Sequence, residues 1–97
     1  MRSKQARFIF KPSVSMREVR QTVRLALMAS EILHGPERLA LGSSWQLSRK
    51  RRRVAITTQT AAGRTFALIF LGFVRREFGN DAVRVCSQAP LSPIPSR

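Results

Sequence analysis

Residues 66–74, FALIFLGFV, are the most apolar stretch of the chain, and cations stand on both sides of them. Arg64 precedes the run, and Arg75 and Arg76 follow it at once. Nine residues fall well short of the roughly 20 that a membrane-spanning helix needs. The run must therefore be buried inside a small soluble core. A short apolar run does not disclose its own period, so two placements satisfy that demand. It can be a central strand covered on both faces, or the inner part of a helix from Arg64 to Phe78. Thr65, Phe66, Ile69, Phe70, Phe73 and Val74 are sheet-prone residue types and favour the strand, while Gly72 costs either reading something.

The segments around the run supply its partners. In ARFIFK, Phe8 and Phe10 share one face while Arg7, Ile9 and Lys11 share the other, and Pro12 closes what reads as a first strand. Ser15 stands three residues before Glu18, the spacing of a capping box. Met16, Val19, Val23, Ala26, Leu27 and Leu33 then recur at helical steps, with Arg17, Arg20 and Arg24 largely opposite. Gly35 and Pro36 end that helix. The segment PERLALGSS allows one short helical turn. SWQLS and RRVAITTQT read as strands, and the TAAG turn predicts an antiparallel hairpin between residues 53–58 and 65–74 that buries Ile56, Phe66 and Ile69. If residues 64–78 are helical instead, the order becomes β-α-β-β-α-β, the ferredoxin-like layout. NDAVRVCSQA suits a short helix capped by Asn80 or Asp81, or equally a last strand. The expected architecture is α+β: a small antiparallel sheet with a long N-terminal helix packed on one face. Residues 1–89 form one domain, and 90–97, with three prolines, a flexible tail.

Charge narrows the function. Lys and Arg number 18 against 5 Asp and Glu, a formal +13, and all but Lys4, Lys11 and Lys50 of these cations are arginine. Such a surface concentrates polyanions, nucleic acid above all. Arginine adds a planar fork that grips phosphate and stacks on bases. A basic face that docks an acidic protein is the competing reading. One cysteine excludes an intrachain disulfide, and the N-terminus carries no long apolar segment, so a cytoplasmic protein is expected.

Motifs for catalysis are sparse. There is no phosphate-binding loop, no metal-spaced set of His and Cys, and no expected cofactor. His34, at a helix end, reads as a cation facing the last carbonyls. Cys86 reads as a small buried hydrophobe, and Trp45 as a half-buried anchor at a strand start.

The order of parts is more telling. WQLSR, RRVAI and GRTFALIFLGFVRR, preceded by a strand, a long helix and a Gly-Pro linker, resemble the RelE/HigB-like toxins of toxin–antitoxin systems. That family often carries W-E-L-R, R-V and G-x-x-x-x-L-L-x-x-F-x-K-K strands, then a short last helix. The resemblance covers most of residues 6–89 and implies a messenger RNA endonuclease acting at the ribosome. The 2′-hydroxyl of the RNA would attack the neighbouring phosphate, and an acidic cognate antitoxin would silence the toxin. It places Arg53 and Arg76 on the phosphate, leaves Lys50 as the one titratable group of the basic run 49–53, and makes Arg49, Arg51, Arg52 and Arg75 RNA contacts. Antiparallel pairing would bring these groups onto one sheet surface. Ser48 stands where the family has arginine, arginines replace the paired lysines, and no tyrosine is present. The toxin-like endonuclease is the favoured reading, and those departures support the alternative: a non-catalytic nucleic-acid- or ribosome-binding protein, or a gyrase-inhibiting relative.

Overall fold

The computed structural model describes residues 4–35 and 44–87. In chain order the elements are β1 (Gln5–Phe10), α1 (Met16–His34), β2 (Trp45–Ser48), β3 (Arg53–Thr57), α2 (Ala61–Phe78) and β4 (Val83–Ser87). The four strands form one sheet in the order β2-β3-β1-β4, antiparallel at every neighbour. This is the ferredoxin-like β-α-β-β-α-β layout. The expected helical turn within PERLALGSS and the Pro-rich tail lie outside the described residues.

The α+β architecture and the long first helix agree with the sequence reading. Ser15 caps α1 by accepting a hydrogen bond from the Glu18 amide at 3.4 Å. Val19, Val23 and Ala26 turn into the core with no exposed surface. Two polar side chains share that inner face, and each is satisfied along the helix: Thr22 Oγ1 donates to the Glu18 carbonyl and Ser30 Oγ to that of Ala26. Both helices end at glycines with positive φ, +83° at Gly35 and +95° at Gly79, a region closed to most side chains.

The hairpin expected between residues 53–58 and 65–74 is not formed, because residues 61–78 are the helix α2. Four features of the segment outweigh the sheet-prone residue types. Thr60 caps the first turn, its Oγ1 accepting from the Gly63 amide at 3.0 Å. Ala61 and Ala62, the best helix formers, open the element. Ala62, Phe66, Ala67, Phe70 and Val74 are buried at helical spacing, while Arg75 and Arg76 lie in the last turn, where cations complement the exposed carbonyls. The last segment also resolves, as the strand β4 and not a helix. Val83 and Val85 pack against the core, while Arg84 and Cys86 are exposed. Cys86 is thus not the buried hydrophobe expected of it; strand alternation puts it on the solvent side.

The core lies between the sheet and both helices. Phe8, Phe10, Val54 and Ile56 rise from the sheet to meet Val19 and Val23 of α1 and Phe66, Phe70 and Val74 of α2. The Phe70 ring meets Phe8 edge-on, with centroids 5.0 Å apart, and Phe10 at 6.3 Å. Trp45 is half-buried against this cluster, as a strand-start anchor should be.

The start of α2 presses on the end of β3. A Cβ added at Gly63 would stand 2.2 Å from the Thr57 carbonyl oxygen, whereas one added at Gly72 would meet nothing within 4 Å. The two glycines should therefore respond oppositely to alanine. Gly63→Ala should cost about 1–3 kcal/mol, the scale of overpacking. Gly72→Ala should gain about 0.5–1 kcal/mol, since a mid-helix glycine is replaced without a clash. Urea midpoints of the two variants moving in the same direction would contradict this packing.

Candidate nucleic-acid interface

The helices cover one face of the sheet, and among the described residues no element covers the other. Strand alternation sends Ala6, Phe8, Phe10, Val54 and Ile56 inward, so Arg7, Ile9, Arg53 and Ala55 must face outward. The register fixes their neighbours. Ile9 pairs with Arg53 on one side and Arg84 on the other, and Arg7 pairs with Ala55 and Cys86. Ser48 stands beyond Arg53, and Gln46 beyond Ala55.

Arg7 is therefore diagonal to both Arg53 and Arg84, roughly 7–8 Å away in such a lattice. Arg53 and Arg84 flank Ile9 from two strands apart, so about 10 Å separates them. The result is a triangle of cations around one isoleucine. Arg7 and Arg84 are exposed and Arg53 is half-buried. Among the described residues, no acidic side chain shares this face: Glu18, Glu31, Glu77 and Asp81 all belong to the helices or the loop before β4.

The basic run sits at the rim of the same face. Residues 49–52 form the turn between β2 and β3, closed by the Arg51 amide donating to Ser48 Oγ and the Arg52 amide donating to the Arg49 carbonyl. Arg49, Lys50 and Arg51 are exposed there.

Arg52 differs from its neighbours. Its φ is +53°, unusual for a residue with a side chain. Its guanidinium Nη2 donates to the Lys11 carbonyl at 2.6 Å and to the Val14 carbonyl. Its own carbonyl accepts from the Phe10 amide at 2.9 Å. Arg52 thereby fastens the β2–β3 turn to the connection between β1 and α1. Arg52→Ala should lower stability by about 1.5–3 kcal/mol, the range for hydrogen bonds to a charged group. If the chain binds RNA, the salt dependence of that binding should hardly change. A variant of wild-type stability with a flatter salt response would make Arg52 an RNA contact after all.

The three residues expected to act together are not brought together. Arg53 projects from the open face, and Lys50 stands in the exposed turn beside it. Arg75 and Arg76 are in the last turn of α2, which packs on the opposite face. Arg76 there lines a groove of about 440 Å³ with Thr22, Leu25, Phe73 and Glu77. The expectation that Arg53 and Arg76 share one sheet surface thus fails, because the segment between them is helical.

Arg7 and Arg84 were missed as site residues in the sequence. Their one signal was alternation, each standing opposite apolar neighbours in a short strand.

Compared with protein-family models, curated proteins and solved structures, the chain has no match in any of the three. The likeness to RelE/HigB-like toxins has only the residues behind it, and its third motif lies on a helix where that family has a strand. Among the described residues, no helix is long and apolar enough to cross a membrane.

Proposed function

We propose that the protein binds single-stranded RNA across the open face of its sheet, without cutting it. The observation that carries this reading is the Arg7, Arg53 and Arg84 triangle, set on a face where no described carboxylate opposes it. A flat four-stranded surface suits unstacked strands, as it does in RNA-recognition modules that stack bases on aromatic side chains. That parallel is one of fold alone. Here Phe8 and Phe10 are turned into the core, so guanidinium planes take the stacking role, with phosphate gripped by the same forks. The exposed turn 49–51 extends the cationic track beyond the strands. Ribosomal RNA and ribosome-bound messenger RNA both present suitable strands.

Binding is favoured over the toxin-like endonuclease reading by the separation of Arg53 from Arg76. Phosphate cleavage needs its charge-stabilising groups aimed at one reacting phosphate. These two arginines project from opposite sides of the sheet.

Fluorescence anisotropy with a short single-stranded RNA, and with the same sequence as a duplex, tests the proposal. The single strand should bind more tightly, and ribosome-bound messenger RNA incubated with the protein should acquire no new 5′ ends. New ends would restore the endonuclease reading. Equal affinity for strand and duplex would leave only non-specific attraction to polyanions.

A further inference from the structure

The helical side of the molecule carries a second feature, independent of the sheet face. On α1, Leu25, Met28 and Ile32 are 56%, 61% and 85% exposed. Their three- and four-residue steps stack them in one stripe about two turns long. An apolar row on an otherwise charged surface marks a place of contact, and its surroundings decide the occupant. Helical spacing puts Arg17, Arg24 and Glu31 along one edge of the stripe and Glu18 at its N-terminal end, with Arg20 farther round the helix. On the other edge, Arg76 and Glu77 of α2 line the groove that Leu25 shares with Phe73. Three arginines thus stand against three carboxylates. The whole chain carries +13, so this rim is a place where net charge does not turn a second copy away. The same balance gives no advantage to an acidic protein, a nucleic acid or an anionic membrane.

We propose that two copies of this chain pair through α1, antiparallel across a two-fold axis. The order of charges along the edge carries the inference. Arg24 and Glu31 are seven residues, or two turns, apart, so they share one edge at a distance of about 10 Å. A two-fold axis crossing the helix midway between them sets Arg24 of each copy opposite Glu31 of the other, and both pairs form at once. The same operation brings Leu25 of each copy beside Met28 of the other, and Ile32 against the stem of Gln21. A parallel pair would set like charges at equal heights. Each copy contributes three apolar side chains, a contact below the standard interface size, so half-association is expected at about 10–100 μM. The two sheets end on the outside of the pair, so Arg7, Arg53 and Arg84 are neither used nor blocked.

Sedimentation equilibrium of the full chain tests this, at about 0.3 M salt so that long-range repulsion between copies is screened. Dimer should appear across that concentration range. Arg24→Glu and Glu31→Arg each turn two opposite-charge contacts into two like-charge ones, and each alone should weaken the dimer about tenfold. Mixed together, the two variants should recover wild-type association, because a chain with two glutamates on the edge then meets a chain with two arginines. A damaged fold would not give that recovery. Replacing Met28 and Ile32 together by serine should weaken the dimer at least tenfold, and both side chains are exposed, so the fold should persist. Replacing Arg7, Arg53 and Arg84 by alanine should not weaken it, so failure of the RNA reading leaves this result standing. A monomer throughout the range would overturn the proposal. So would a dimer indifferent to the serine replacements, or a mixture of the two charge variants that associates no better than either alone.

Discussion

Replacing Arg7, Arg53 and Arg84 together by alanine should lower affinity for single-stranded RNA by about 10²-fold at 0.1 M salt. Each phosphate neutralised on a single strand contributes roughly 0.7 to the slope of log affinity against log salt. Three lost contacts remove about 2 from that slope, which at 0.1 M, one decade below molar salt, is about 10²-fold. Wild type and variant should converge as salt approaches molar. The fold should tolerate the change, since Arg7 and Arg84 are exposed and Arg53 is half-buried on a face without acidic neighbours among the described residues. Net charge alone could mimic the effect, so a matched variant is needed. Arg17, Arg20 and Arg24 are exposed on α1, on the far side of the sheet. Changing those three to alanine removes equal charge and should cost only a few-fold. If both triples weaken binding alike, the open face has no special role.

Phe70→Ala should be the most damaging single substitution. The ring is fully buried and touches both Phe8 and Phe10 at the centre of the core. Removing a buried phenylalanine costs about 3–5 kcal/mol. A domain of this size has total stability toward the low end of about 5–15 kcal/mol, so half or more of it would go. Melting temperature should fall by roughly 4–8 °C for each kcal/mol lost. The same series reads out the period of the segment. In the helix, Phe66, Phe70 and Val74 are buried while Leu68 is 41% exposed. Leu68→Ala should then change stability by no more than about 0.5 kcal/mol. A strand would instead make positions 66, 68 and 70 equally sensitive, since they share one face.

That periodicity explains what could and could not be read from the residues. α1 was legible because Met16, Val19, Val23 and Ala26 recur at helical steps and the segment is punctuated at both ends, by Ser15 and Gly35. α2 was not, because Ile69, Leu71 and Phe73 are half-buried around the fully buried row. With Leu68 and Gly72 at the exposed positions in place of charges, the segment shows a continuous apolar run, and such a run fits either period. Sheet-prone residue types then pointed the wrong way, where Thr60 and two alanines decided locally. The site was legible only in part. Arg53 and the basic turn stood out as a charge cluster. Arg7 and Arg84 are 77 positions apart and meet only because β1 lies between β3 and β4. No local pattern encodes that adjacency. The same ordering put Arg52 over Lys11 and Val14, turning an apparent RNA contact into a brace.

The position of β1 also governs when the molecule can be completed. Residues 5–10 are made first, yet their two neighbours come from residues 53–57 and 83–87. During synthesis, the first strand waits for more than seventy further residues before its second edge is paired. Until then Phe8 and Phe10 belong to a strand with an open side, a template for pairing with another chain. Closing such distant segments is slow compared with forming local helices. The nascent chain can make α1 early, but the cationic triangle comes into being only when Arg84 arrives. The outward face of the sheet is therefore complete only once the last of the described strands has been made.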